Sequence, residues 1–183
     1  FNTVGGLAVS LLSSEKTNGA NRLKLTGTQL DPSKVTKEDI IGGYNVATGK
    51  ESGIELVRQV YPKFGLVPGL LLAPKWSKEP EVAAALAAKT EELNGTFTCE
   101  CVVDMDTGGN TVYSDLKEGK ERQGFISRHG ILLWPKVKLG DAVYDYSAVW
   151  AAMTAYTDAV NGDIPAKSPS NELLNMSAAV LED

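Results

Sequence analysis

Asp104 and Asp106 stand one residue apart just past an apolar run, Cys101-Val102-Val103. Two carboxylates so placed could hold a magnesium ion. In sheets of parallel strands, ligands bind in the crevice beyond the carboxyl ends of the strands, which is where this pair would sit. Asp106-Thr107-Gly108, His129-Gly130 and Ser147-Ala148 add a second possibility. An acid, a histidine and a serine are the parts of an acyl-transfer triad, in which the histidine takes the serine proton and the carboxylate orients the imidazole.

Both readings meet obstacles in the sequence. Phosphatases that use an aspartate nucleophile carry a Thr two residues beyond their second aspartate, and here Thr107 is only one beyond. The order Asp, His, Ser is that of the subtilisin-like proteases. There, however, the histidine opens a helix, and His129 precedes an apolar strand. Ser147 lacks the preceding Gly-Thr of that family, and it lies too close to His129 in the sequence. His129 is the only histidine, so no other base of that kind exists. Thr48-Gly49-Lys50 resembles the end of a phosphate loop, but Tyr44 stands where the loop needs glycine and Glu51 where it needs Ser or Thr. A polar turn is the plainer reading. Cys99 and Cys101 share one face of a strand, which disfavours a disulfide, and no His lies near them to build a zinc site.

Composition narrows the classes. The net charge is −5, and the 18 basic residues are scattered among 23 acidic ones. A nucleic-acid groove would need a cationic stripe, so nucleic acid is not an expected partner. No apolar run approaches the length of a membrane-spanning helix, and no membrane anchor is expected. With 183 residues and 43% apolar content, one domain with a real core is expected. The chain starts at Phe1 and stops at Asp183 without evident logic, which suggests a piece of a longer chain.

The elements that would position these residues alternate. A helix is predicted over 51–64, with Ile54, Val57, Tyr61 and Phe64 as its stripe and Glu51 and Glu55 near its positive end. The run Leu70-Leu71-Leu72-Ala73 reads as a central parallel strand covered on both faces. A helix over 79–94 carries Val82, Ala83, Leu86, Ala87, Thr90 and Leu93 inward, with Ser77 as a candidate cap. A strand over 97–103 leads into the Asp104–Gly108 turn. A short charged helix is expected over 111–123, with Tyr113, Leu116 and Lys120 on one side. Ile131–Trp134 is the next strand, and Val137-Lys138 could extend it past Pro135. The helix over 147–161, with Ser147 as candidate N-cap, carries an alanine stripe (Ala148, Ala152, Ala155, Ala159) beside Val149, Met153, Tyr156 and Val160. Such a helix would be buried on more than one side. Trp76, Trp134, Ala152 and Ala155 are the candidate interface residues, because aromatics anchor interfaces and alanines admit a close neighbour. Residues 1–34 are less decisive: Val4 to Leu12 is apolar, Ser13 to Asn21 is loop-like, and Leu23 to Leu25 could be a short strand. The alternation predicts an α/β fold, mainly a parallel sheet with helices on both faces.

Several pieces, taken in order, carry a resemblance. They are Asp39-Ile40-Ile41-Gly42-Gly43, the run from Gly65 to Pro74, and Val102-Val103-Asp104-Met105-Asp106-Thr107. Trp134-Pro135, Ser147-Ala148, Thr157-Asp158-Ala159, Ile164-Pro165 and Ser168-Pro169-Ser170-Asn171 complete the set. Over about residues 35–171 the chain resembles the tail sheath proteins of contractile-tailed bacteriophages and related prophage-derived particles. The resemblance implies a subtilisin-like sandwich without an active site, no cofactor and no enzyme activity. It implies a virion protein, assembled in the host cytoplasm, whose partners are further copies of itself, the tail tube protein and the baseplate. It also implies a sheath core domain at 35–171. Residues 1–34 would be edge strands or a remnant of a neighbouring domain, and 172–183 would start a connection to a further domain. The alternative left open by the residues is a small α/β hydrolase or metal-dependent phosphatase using Asp104 and Asp106 or Ser147.

Overall fold

The computed structural model describes residues 14–17, 20–23, 32–108, 112–165 and 167–181. The chain divides into two compact units, Phe1–Pro68 and Gly69–Asp183. The expected element over Val4 to Leu12 lies outside the described residues, as does Leu25.

In the first unit, β1 (Ser14–Thr17) and β2 (Ala20–Leu23) pair antiparallel, so the described residues within the expected loop over 13–21 are strand. Helix α1 (Lys37–Ile41) opens on a capping box: Asp39 N donates to Thr36 Oγ1, and Thr36 N donates to Asp39 Oδ2. It ends at Gly42. A Cβ there would fall 2.0 Å from the Ser52 carbonyl oxygen, and one on Gly53 would fall 2.4 Å from that of Ile40. Two backbones cross where only hydrogen fits, which accounts for both glycines.

Strands β3 (Gly43–Asn45) and β4 (Lys50–Ser52) form a hairpin. Asn45 Oδ1 accepts from the N–H groups of Ala47 and Thr48 in its turn. Thr48-Gly49-Lys50 is therefore a hairpin corner and not a phosphate cradle. Glu51 lies in β4, so the predicted helix starts later than 51. A 3-10 segment runs over Gly53–Gln59, followed by α2 (Val60–Phe64). Pro62 explains the division. It has no N–H to give, so it fits the first turn of an α-helix and not the interior of one running from 51 to 64. The expected stripe is not buried: Ile54 and Val57 are half-buried, and Tyr61 and Phe64 are exposed.

The second unit is mixed α/β around a parallel sheet. Its strands are β5 (Leu70–Leu72), β6 (Glu100–Asp104) and β7 (Gly130–Leu133), in the order β5-β6-β7. Strand β5 is thus an edge strand with half-buried leucines, and not the central strand its unbroken apolar run suggested. The centre is β6, where Cys101, Val102, Val103 and Asp104 are all buried. Since alternate residues point to opposite faces, both faces of β6 are covered. Helices α3 (Pro80–Thr90) and α5 (Tyr146–Val160) lie against it.

Helix α3 buries Val82, Ala83, Leu86 and Thr90, as their spacing requires, and Ala87 is half-buried. It stops at Thr90. Asn94 and Gly95 then make a left-handed turn, with φ 55° and 70°, that joins buried Leu93 to Phe97 in a bridge. This turn delays the start of β6 to Glu100.

A 3-10 turn, Tyr113–Asp115, leads into α4 (Leu116–Gln123). Its buried positions are Gly119 and Gln123, not the expected side of Tyr113, Leu116 and Lys120. After β7 the chain passes the cis Trp134-Pro135 bond and changes sheet. Strand β8 (Lys136–Leu139) lies between β9 (Ala142–Tyr144) and β10 (Ala178–Val180) in a three-stranded antiparallel sheet. Val137 and Lys138 thus do not extend β7, because Pro135 offers no N–H to continue its ladder. Helix α5 buries Ser147, Val149 and Thr157 on one side only. Ala152 and Ala155 are exposed, and Tyr156 is 71% exposed, so burial on several sides does not occur within the unit.

Candidate functional site

The crevice at the carboxyl end of the sheet is organised by Asp104, the last residue of β6. Its carboxylate is buried and accepts three hydrogen bonds. Ser77 Oγ donates to Oδ2 at 3.0 Å, Ser147 Oγ donates to Oδ2 at 2.5 Å, and Ser147 N donates to Oδ1 at 2.8 Å. Ser77 Oγ in turn accepts from Asp104 N at 3.0 Å. Gln123, from the end of α4, donates from Nε2 to the carbonyl oxygens of Ser77 and Asp104, at 3.2 and 3.1 Å. The carboxylate ties β6 to the β5–α3 turn and to α5, and Gln123 joins α4 to the same place through the backbone carbonyls of Ser77 and Asp104.

Local folding explains the arrangement. The first N–H groups of a helix have no partner within it. In α5, Asp104 supplies that partner from the neighbouring strand, and a negative group suits the positive end of a helix. Asp145 holds the N-cap position but makes no side-chain cap; its Oδ2 accepts from Lys75 N at 2.6 Å. Ser77 does not cap α3 either. That N-cap position belongs to Glu79, and Ser77, with no exposed surface, serves Asp104. The two serines expected as caps are the two clamps on the carboxylate.

Burial pushes the Asp104 carboxyl above the usual carboxylate range. The bonds from Ser147 and Ser77 oppose the rise, and the negative charge of Asp145 adds to it. Gln123 Oε1 is buried without a hydrogen-bond partner. Its Nε2 faces two carbonyl oxygens, so turning the amide over would set three oxygens against each other.

The triad expected from sequence order is not brought together. His129 sits before β7, where its carbonyl oxygen accepts from Cys101 N and its N–H donates to Ser127 Oγ. The register aligns Cys101 with Gly130 and Asp104 with Leu133. His129 is therefore at the opposite end of the sheet from Asp104 and Ser147, roughly 13 Å away along the strand at about 3.3 Å per residue. Nor do the two aspartates converge. Asp104 turns inward, while Asp106 is exposed and accepts from Gly108 N at 3.2 Å in a local turn. Among the described residues, no three or more His, Cys, Asp or Glu side chains are grouped to hold a metal ion.

Cys99 and Cys101 are free and buried. Burial, with the charges of Cys99 and Glu100, pushes the Cys101 thiol up to about 11, where it stays protonated and inert at neutral pH. Trp76 and Trp134 are half-buried in the β5–α3 turn and after β7. Sequence reasoning missed Gln123, whose partners are 19 and 46 residues away and leave no local pattern.

The site thus defines a class: a mixed α/β unit whose crevice carboxylate is consumed by structural hydrogen bonds. The chain is 30% identical over 143 residues, 75% of its length, to the tail sheath protein of Burkholderia phage BcepMu. The match covers 28% of that protein, so the chain spans a minor part of the relative's length. This similarity supports a relationship to phage tail sheath proteins. No family model matches the chain, and no solved structure does.

Proposed function

We propose that the chain is part of a structural subunit of a contractile phage or prophage-derived tail sheath. The subunit polymerises around the tail tube and contracts to drive the tube through the target envelope. The observation that carries this reading is the 30% identity to the BcepMu tail sheath protein over three quarters of the chain. The crevice adds support, because Ser147 and Asp104 are bonded to each other while His129 lies at the far end of the sheet. A hydrolase or phosphatase using those residues is not favoured.

In this reading, residues 35–171 form the core of a subtilisin-like sheath domain that has no active site. Its partners are further copies of the subunit, the tube protein and the baseplate, and it resides in the virion after assembly in the host cytoplasm. Trp76, Trp134, Ala152 and Ala155 contribute to contacts between subunits. Ala152 and Ala155 suit the role because they lie exposed on α5 beside Tyr156. The test is negative-stain microscopy of the full-length polypeptide produced alone and with its tube protein. Striated hollow tubes or contracted sleeves are expected. A dispersed monomer in both preparations would overturn the proposal.

A further inference from the structure

Three Asn-Gly pairs occur in the chain, at Asn18, Asn94 and Asn161. Asn18 lies outside the described residues. Asparagine is a thermolabile residue. Before a glycine its side-chain amide is open to attack by the next backbone nitrogen, because glycine has no Cβ to hinder the approach.

The fold treats the two described pairs differently. Asn94 and Gly95 sit at the tip of the turn between α3 and β6, both with left-handed φ, 55° and 70°. The turn is bonded at its base. Thr96 N and Phe97 N donate to Leu93 O at 3.3 and 3.0 Å, and Leu93 N donates to Phe97 O at 2.7 Å. Gly95 N lies between these groups and takes part in none of the three bonds, as the middle nitrogen of a turn does. Gly95 is exposed, and a Cβ built on it meets nothing within 4 Å among the described residues. Its nitrogen can swing toward Asn94 Cγ without giving up any bond that closes the turn.

Asn161 is the C-cap of α5, and there the next nitrogen is committed. Gly162 N donates to Ala159 O at 3.3 Å, and Asp163 N donates to Asp158 O at 2.9 Å. Swinging Gly162 N toward the Asn161 side chain would break the first bond and pull at the second. The stakes are higher at the α3–β6 turn. Leu93 is 1% exposed, so the Leu93–Phe97 bridge fastens a core side chain.

We infer that Asn94 is a self-modification site, where Gly95 N displaces the side-chain amide and leaves aspartate or isoaspartate in the turn. Gly95 N gives its proton to hydroxide and bonds to Asn94 Cγ. The Cγ–Nδ2 bond breaks, and Nδ2 takes a proton from water and leaves as ammonia. Water then opens the cyclic imide. Attack at Cγ gives aspartate. Attack at the backbone carbonyl carbon leaves the chain running through Cγ, which lengthens the backbone by the Cβ and gives isoaspartate. Either product adds a carboxylate to a stretch that already holds Glu91 and Glu92. Isoaspartate also loosens the Leu93–Phe97 bridge, whose bonds fit a turn of the original length. The reacting atoms belong to adjoining residues, so neither an open surface nor a partner is required. The inference does not depend on the sheath reading.

The test is ageing of the folded full-length polypeptide in mildly alkaline H2¹⁸O, read by peptide mass spectrometry. Replacement of the side-chain amide by an ¹⁸O-bearing carboxylate is expected at Asn94 at least ~5-fold faster than at Asn161, the order of factor set by a hydrogen bond that must first be broken. In urea-unfolded polypeptide the two rates should converge. Hydrogen exchange at Phe97 should be about tenfold faster in the isoaspartate-containing fraction and unchanged at Val102. A rate at Asn161 equal to or above that at Asn94 in the folded state would overturn the inference. So would no ¹⁸O at Asn94, a rate difference that persists in urea, or Phe97 exchange that isoaspartate leaves unchanged.

Discussion

Asp104 and Leu132 lie on neighbouring strands of one sheet, and their surroundings differ in kind. Around Asp104, four distant segments converge, and each carboxylate oxygen accepts from a serine. Around Leu132, an apolar wall stands open among the described residues. A polar group buried without partners costs about 1–3 kcal/mol, so the first region is closed by hydrogen bonds that cannot be dropped singly. The second carries no such obligation within the described residues, and its exposed side chains contribute little to the fold. What looks like a catalytic crevice is a fastening of the unit, and the surface around Leu132 has no such fastening among the described residues.

The comparison can be broken by substitution. Asp104→Ala would leave two serine hydroxyls and the Ser147 N–H without their acceptor. A loss of about 3 kcal/mol in urea unfolding is expected. Ser77→Ala removes one bond to the carboxylate and orphans the Asp104 N–H, for a loss of about 2 kcal/mol. Ser147→Ala keeps its N–H bond to Oδ1 and loses about 1 kcal/mol. If Ser147→Ala costs more than Asp104→Ala, the carboxylate is not the centre of the cluster.

pH sharpens the same point. The folded-state value of Asp104 is raised, so its ionisation works against folding. Its contribution is fully present below the unfolded value of about 3.9 and is lost as pH rises through the folded value. Asp104→Asn removes that loss. The stability of Asp104→Asn relative to the unaltered chain should therefore climb as pH rises from 4 and then level off above the folded value. A flat difference across that window would contradict the burial argument. The smallest effect belongs to the open region: Ile126→Asn should change stability by less than about 0.5 kcal/mol.

Much of the second unit was legible because its signals are local. Leu70–Leu72, the Val82-Ala83-Leu86-Thr90 stripe and the long α5 pattern each declare their period within one element. The order of the strands was not legible. An unbroken apolar run says that a strand is apolar, and it does not distinguish an edge from a centre. Strands β9 and β10 were missed because three residues are too few to show alternation, and β8 was read as a continuation of β7. At the site, Asp104 was picked out by its place after a strand. Ser77 and Ser147 were read as caps because a short polar residue near a helix start looks the same whether it serves its own helix or a carboxylate 27 or 43 residues away.

The central claim is that the crevice residues are structural. Its most direct test is labelling of the folded chain with a fluorophosphonate serine probe, read by mass spectrometry. Ser147 has no exposed surface and its hydroxyl is committed to Asp104, so no label on Ser147 is expected until the protein is unfolded. Stoichiometric labelling of Ser147 in the folded state, abolished by His129→Ala, would contradict the account.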